Sequence, residues 1–203
     1  MGNEAKCTVR FGTQKSEGKA LRETSDLIFR GEKFRLTIPL REMKSVKAAN
    51  GELRIAFAEG NAVFELGPLA EKWANKILHP KTVMEKLGVK KESNLGLIGS
   101  FDEDFLRELR GQTKKISEGK IAADTELIFL RAESRKVLEQ LKKIAKAMKG
   151  AVALWVIYPK GQKAITEMDV LIAGREAGLK DVKVVGFSAT RTALKFVIPV
   201  SQR

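Results

Sequence analysis

Residues 151–161 read Ala-Val-Ala-Leu-Trp-Val-Ile-Tyr-Pro-Lys-Gly, an apolar run that stops only at Pro159, Lys160 and Gly161. Helical patterns stand on both sides of it. A strand of this kind has no polar face to offer to solvent, so it belongs in a largely parallel sheet covered on both faces. The surrounding chain must therefore supply helices for both faces. Ligands of such sheets lie just past the carboxyl ends of the strands, which is where Tyr158 and Lys160 fall.

The neighbouring pattern agrees. Residues 81–87 read as a short helix stopped by Gly88, and 95–98 as a short strand. Ser100 and Glu103 have the spacing of a capping box, which predicts a helix over 101–110. The polar, basic stretch 111–120 reads as a loop, and 126–130 as a buried strand. Ser134 is placed to cap a helix over 135–149, with Val137, Leu138, Leu141, Ile144, Ala145 and Met148 on one face and Gly150 as its stop. Thr166 and Asp169 form a second capping box, and that helix runs to Ala177 before Gly178. Residues 182–187 and 193–198 then predict a terminal antiparallel hairpin on the edge of the sheet. Strand, helix, strand, helix, strand, helix, hairpin is the order of an open α/β sheet.

The first part of the chain has another period. Residues 6–11, 20–29, 34–38, 53–57 and 62–66 read as strands separated by Gly-containing turns. Asn50-Gly51 is a strong hairpin signal, since a type I′ turn needs positive φ at both residues. Pro39 lacks an amide hydrogen, so its strand should lie at an edge or end there. One helix closes this half. Pro68 suits its first turn, Leu69, Trp73 and Ile77 share a stripe, and His79-Pro80 ends it.

A strand meander capped by one helix with a central Trp resembles the pleckstrin-homology-like and GRAM-like modules, on residues 53–57, 62–66 and 68–78 with Trp73. The resemblance implies a small β-barrel over residues 5–79, closed at one end by the helix. Some members bind phosphoinositides between basic early strands, here Lys15, Lys19 and Arg22; for Trp73 the reading is a core plug. Residues 126–130, 151–161 and 181–198 resemble the second half of a class I methyltransferase domain. More specifically, residues 80–203 are similar to an uncharacterised bacterial family of Rossmann-like domains, on Leu154-Trp155-Val156, Pro159-Lys160, Thr166 to Asp169, Gly178 to Val184 and Leu194 to Val197. That resemblance implies a Rossmann-like fold and carries no activity. The chain as a whole is expected to be an α+β protein of two domains, 5–79 and 80–203.

The candidate ligand cleft takes Gly99, Ser100, Tyr158, Lys160 and Lys163, at the carboxyl edge of the predicted sheet. A dinucleotide or adenosylmethionine site needs a glycine-rich first turn, so that helix amides can face the ligand. Here the turn is Ile98-Gly99-Ser100-Phe101-Asp102-Glu103-Asp104, with one glycine and three acids at the helix start. Those acids favour the helix dipole themselves and repel a phosphate. An acid at the end of the second strand, for ribose contact, is replaced by Arg131. No cofactor is expected. Asp102, Glu103 and Asp104 also raise the question of Mg²⁺, but helix capping accounts for them with fewer assumptions. Cys7 and His79 are the sole cysteine and histidine, so an intrachain disulfide is impossible and a zinc site lacks its ligands.

The chain carries a formal net charge of +13, unevenly spread: +4 over residues 1–80 and +9 over 81–203. Such an excess favours polyanions, nucleic acid or anionic lipid, as partners. The helix over 135–149 offers a basic surface of Arg135, Lys136, Lys142, Lys143, Lys146 and Lys149. No aromatic residues interleave with it for base stacking. No apolar stretch approaches the roughly 20 residues of a spanning helix, and the amino terminus lacks the apolar core of a secretory signal, so a cytoplasmic protein is expected. The leading functional expectation is a non-catalytic binding or scaffold protein taking a protein, peptide or small ligand. The alternatives are an enzyme remotely related to class I methyltransferases and a non-specific nucleic-acid binder.

Overall fold

The computed structural model describes residues 3–202. The chain divides between Lys81 and Thr82 into two compact units, one built on an antiparallel sheet and the other on a mixed one.

The first unit contains strands β1 (Asn3–Phe11), β2 (Gln14–Arg22), β3 (Asp26–Gly31), β4 (Arg35–Pro39), β5 (Ser45–Ala49), β6 (Glu52–Phe57) and β7 (Gly60–Glu65), then helix α1 (Leu69–Leu78). The sheet order is β4-β3-β2-β1-β7-β6-β5. β1 pairs with β2 along its whole length but with β7 only through Thr8 to Phe11. The two halves of the sheet share one end of β1 and diverge beyond it, which curls the sheet into a half-barrel. Asn50 and Gly51 have φ of 53° and 78° and join β5 to β6, as a type I′ turn requires. β4 is an edge strand and ends at Pro39. The predicted single strand over 20–29 is two strands: the amide of Glu23 donates to the Asp26 carbonyl at 2.8 Å and turns the chain between β2 and β3.

The concave side holds Leu27, Phe29, Ile38, Leu53, Ile55, Phe64 and, from α1, Ala70, Trp73, Ala74 and Ile77. Trp73 is fully buried and plugs this core. On β2, Gly18 pairs in register with Gly31 of β3. A Cβ at Gly18 would stand 2.4 Å from the Arg30 carbonyl oxygen and 2.6 Å from the Gly31 Cα. Only hydrogen fits between these backbones.

The second unit contains α2 (Val83–Leu87), β8 (Leu95–Ile98), α3 (Glu103–Gln112), β9 (Ile116–Glu118), β10 (Leu127–Arg131), α4 (Arg135–Leu138), α5 (Gln140–Ala147), β11 (Ala153–Pro159), α6 (Glu167–Glu176), β12 (Lys180–Gly186) and β13 (Arg191–Val197). The sheet order is β12-β13-β11-β10-β8-β9. β9, β8, β10 and β11 run parallel, and β13 runs antiparallel to both its neighbours. β11 is buried along its whole length, as its sequence demands. Alternate residues feed two cores. Leu127, Phe129, Ala153, Trp155 and Ile157 pack with residues of α2 and α3. Ile128, Leu130, Leu154, Val156 and Tyr158 pack with residues of α4, α5 and α6.

Three local expectations are corrected. The stretch 111–120 is not all loop: it contains β9, a three-residue edge strand held in register with Leu95 to Leu97 of β8. The predicted terminal hairpin is present as the antiparallel pair β12 and β13 at the edge of the sheet. Its second strand, β13, lies inside the sheet between β11 and β12, because Ala193, Leu194 and Phe196 bring apolar surface to both faces while Val182 and Val184 of β12 stay about half exposed. α3 starts at Glu103 rather than 101, so Ser100 is too early to cap it, and Asp102 is the N-cap residue without a side-chain bond to the helix. The helix over 135–149 is divided at Glu139 into α4 and α5, and Ser134 makes no capping bond. The Thr166–Asp169 capping box is present with both reciprocal bonds.

Candidate ligand cleft at the carboxyl end of the α/β sheet

From β8 the chain moves outward to β9 and returns to β10 on the other side, so the topological switch point lies between β8 and β10. In open α/β sheets the ligand crevice opens at the carboxyl ends of such a pair. β8 ends at Gly99, whose φ is +98°, and a Cβ there would lie 3.0 Å from Arg131 Cβ and 3.2 Å from the Arg131 carbonyl oxygen. This glycine therefore lets the turn close over the end of β10.

Arg131 is the residue that fills the position. Its side chain is only 9% exposed. Its Nη1 donates to Asp102 Oδ2 at 3.2 Å, and its Nε makes a short hydrogen bond to Glu133 Oε1. Glu133 also takes Arg191, whose Nη1 lies 2.9 Å from Oε1 and 3.1 Å from Oε2. Asp102, Arg131, Glu133 and Arg191 thus form one chain of ion pairs over the ends of β8 and β10 and the start of β13. Burial opposes the charge on Arg131, but the bonds from Glu133 and Asp102 outweigh it and raise its pKa. Burial likewise opposes the charge on Glu133, and the two arginines outweigh it and hold its carboxyl below the usual range. Both shifts favour the charged forms of Arg131 and Glu133, and Arg131 gains its charge-assisted bonds in a largely dry setting. On the same face of the sheet, Phe105 contacts Phe101, Phe129 and Phe187 at ring-centroid distances of 5.4, 5.7 and 4.9 Å.

The residues predicted for the cleft are distributed around this network. Gly99 and Ser100 are exposed at the end of β8. Tyr158 belongs to the opposite face of the sheet, in the core formed with α4 to α6, and its hydroxyl donates to Glu167 Oε2 at 3.0 Å. Burial and then Glu167 raise its pKa well above the usual phenol value. The Lys160 ammonium donates to the Ser188 carbonyl at 2.7 Å, which ties the end of β11 to the loop between β12 and β13. Lys163 is exposed in the turn before α6. Arg191 and Glu133 were not singled out by sequence reasoning. The available signal was period two: Leu127, Phe129 and Arg131 share one face of β10, so the missing acid is replaced by a cation aimed over the sheet end.

Among the described residues no group of three or more His, Cys, Asp or Glu side chains is placed to hold a metal ion. Glu103 and Asp104 pair with Arg110 and Arg107 of the same helix, at 3.8 and 2.8 Å. The residues of the basic surface, Arg135, Lys136, Lys142, Lys143, Lys146 and Lys149, are all exposed. Arg135 is paired with Asp169 at 3.0 Å. Asp169 and Glu176 of α6 line a groove of about 290 Å³ together with Arg135 and Lys142, so the face is of mixed charge where it meets α6.

In the first unit, Lys15 and Lys19 are paired with Glu65 and Glu4, at 3.7 and 2.6 Å. Arg22 has a buried Nε without a hydrogen-bond partner. A groove of about 550 Å³ runs over β1 to β3, lined by Lys6, Lys19, Arg30, Glu17, Glu32 and Cys7. Desolvation, helped by the charge of Glu65, pushes the Cys7 thiol up from 9.0 to about 11, against a lowering bond from Ala20. The thiolate is the nucleophile, so a pKa raised by about two units leaves about 100-fold less of it at pH 8. Iodoacetamide should therefore alkylate Cys7 about 100-fold more slowly than an unperturbed thiol, with a rate that climbs as pH rises toward about 11. Mass-spectrometric rates at a series of pH values check this, and fast labelling at pH 8 would rule it out.

No protein-family model matches the chain, and no curated protein matches it in sequence. Similarity in fold is found to solved structures. A SAM dependent methyltransferase from Aquifex aeolicus is 14% identical over 62% of this chain and 93% of its own, with a TM-score of 0.48. A methyltransferase from Pyrococcus furiosus is 12% identical over 56% and 78%, with a TM-score of 0.37. The [4+2]-cyclase SpnF is 12% identical over 64% and 82%, with a TM-score of 0.40. The likeness is to methyltransferase-like folds at low identity.

Proposed function

We propose that the chain is a binding protein in which a pleckstrin-homology-like unit is joined to a Rossmann-like α/β unit of methyltransferase type that has given up adenosylmethionine. The observation that carries this reading is Arg131 with its partners. The crevice between β8 and β10 is where a dinucleotide or adenosylmethionine would lie, and a guanidinium tied to Asp102 and Glu133 lies over it. The helix that would face a ligand there begins with Asp102, Glu103 and Asp104, which oppose a phosphate placed against its amino end. In support of the first unit's reading stand the curled seven-strand meander and the single helix whose Trp73 plugs it.

Titration of the full chain with adenosylmethionine, and separately with NAD, should give no binding heat at ligand concentrations up to about 1 mM, the weak end of specific affinity. A dissociation constant in the micromolar range for either would overturn the proposal.

The second reading, an enzyme related to class I methyltransferases, is favoured by one observation: an antiparallel strand, β13, lies inside a sheet that is otherwise parallel from β9 to β11. That is a methyltransferase-like arrangement of the closing hairpin. Under it the exposed Gly99, Ser100 and Lys160 border a substrate site, and the same titration should show adenosylmethionine binding.

A further inference from the structure

We propose that Arg131 and Arg191 form a binding site for an oxyanion, that Glu133 occupies it as an internal substitute, and that a ligand bearing a carboxylate or phosphate group binds by displacing Glu133. The inference deepens the reading of the α/β unit as a binding module and rests on it.

The three groups are held unequally. Arg131 closes β10 and Arg191 opens β13, so both donors rise from strands hydrogen-bonded to β11, one on each side of it. Their side chains are 9% and 18% exposed. Glu133 stands beyond the end of β10, in the link to α4, and its side chain is 51% exposed. The cationic half is therefore rigid and largely dry, and the anionic half is tethered and open to solvent. Two guanidinium groups converging on one carboxylate present planar donor forks, a geometry that suits carboxylates and phosphates alike. When Glu133 swings away, Arg131 keeps Asp102, and Arg191 is left facing the vacated position. The site lies at the carboxyl end of the sheet, on the face that carries Phe101, Phe105 and Phe187. A small organic acid or phosphate ester would place its charged group between the arginines and its body toward Phe101, the partly exposed ring of that group.

A tethered carboxylate competes with a free ligand at an effective concentration of the order of millimolar. The wild-type chain should thus bind small oxyanions weakly, and removal of Glu133 should strengthen binding by about 10- to 100-fold.

The test uses the full chain and its Glu133→Ala and Glu133→Gln variants, titrated calorimetrically with inorganic phosphate and with malonate at constant ionic strength set by chloride. The expected result is a gain of about tenfold or more in affinity for at least one probe in Glu133→Ala, lost again when Arg191→Gln is added. A gain with phosphate alone assigns a phosphoryl ligand, and a gain with malonate alone a carboxylate. Equal affinities in wild type and variants, or a gain that survives Arg191→Gln, would overturn the proposal. Should Glu133→Ala fail to fold, Glu133→Gln keeps the side-chain volume and carries the comparison. Tight adenosylmethionine binding would sink the reading of the unit while leaving these titrations interpretable; absence of oxyanion binding would sink the present inference alone.

Discussion

Trp155→Ala should destabilise the α/β unit by about 3–5 kcal/mol, the range for removing a large aromatic side chain from a packed core. Trp155 is fully buried at the middle of β11, in the core that also contains Leu87, Leu97, Phe129 and Val185. Its indole Nε1 donates to the Leu87 carbonyl at 2.8 Å, and so fastens the last turn of α2 to the sheet. The Lys195 ammonium, from the residue paired with it on β13, lies 5.8 Å from the ring. Truncation thus opens a cavity and leaves a buried carbonyl without its donor, a second cost of about 1–3 kcal/mol if no water replaces it. Urea unfolding followed by circular dichroism measures the loss. Trp73, in the other unit, remains as a fluorescent reporter of a region that should be unaffected. A loss below about 1 kcal/mol, well under the range for such truncations, would mean that α2 is not held by this residue.

Gly18→Ala should destabilise the half-barrel by about 3 kcal/mol, the upper end of what overpacking costs. One methyl group is a small change, and the size of the effect comes from what it meets. The Arg30 carbonyl oxygen at 2.4 Å and the Gly31 Cα at 2.6 Å are backbone atoms of the paired strand, which has no rotamer to change. Relief requires β2 and β3 to separate and lose ladder bonds beside the next pair along, Ala20 and Phe29, which are fully buried. The measurement is the thermal midpoint of the first unit. A midpoint unchanged from wild type would show that the strands part more easily than this packing implies.

The parts of the fold that sequence reading located are those with local causes. Asn50-Gly51 fixes a turn because both residues tolerate positive φ, and Thr166 with Asp169 begins a helix because the two residues satisfy each other's amides. The parts it missed depend on distant partners. β5, Ser-Val-Lys-Ala-Ala, has little apolar alternation of its own, and becomes a strand by pairing with β6 and lying against α1. β9 has three residues and takes its direction from β8. The candidate site behaves in the same way. Gly99 and the acids at the start of α3 were visible as a degenerate cofactor turn. The reason for their arrangement was not visible, because the residue they accommodate, Arg131, lies on the next strand, and its network ends at Arg191, 58 positions after Glu133.

The interior position of β13 has a consequence for how the protein is made. During synthesis β8, β10 and β11 emerge in an order that lets each pair with a strand already present. β12 emerges next and has no strand to pair with, because among the described residues its ladder partner is β13. Until residue 197 has been added, the outer edge of β11 is bare, and its neighbouring strand is a free segment. At elongation rates of about 5–20 residues per second, the stretch from Pro159 to Val197 takes about 2–8 seconds to add. During that time the most apolar strand of the protein shows an open edge to the cell, so the closing step for this unit is the insertion of its last strand.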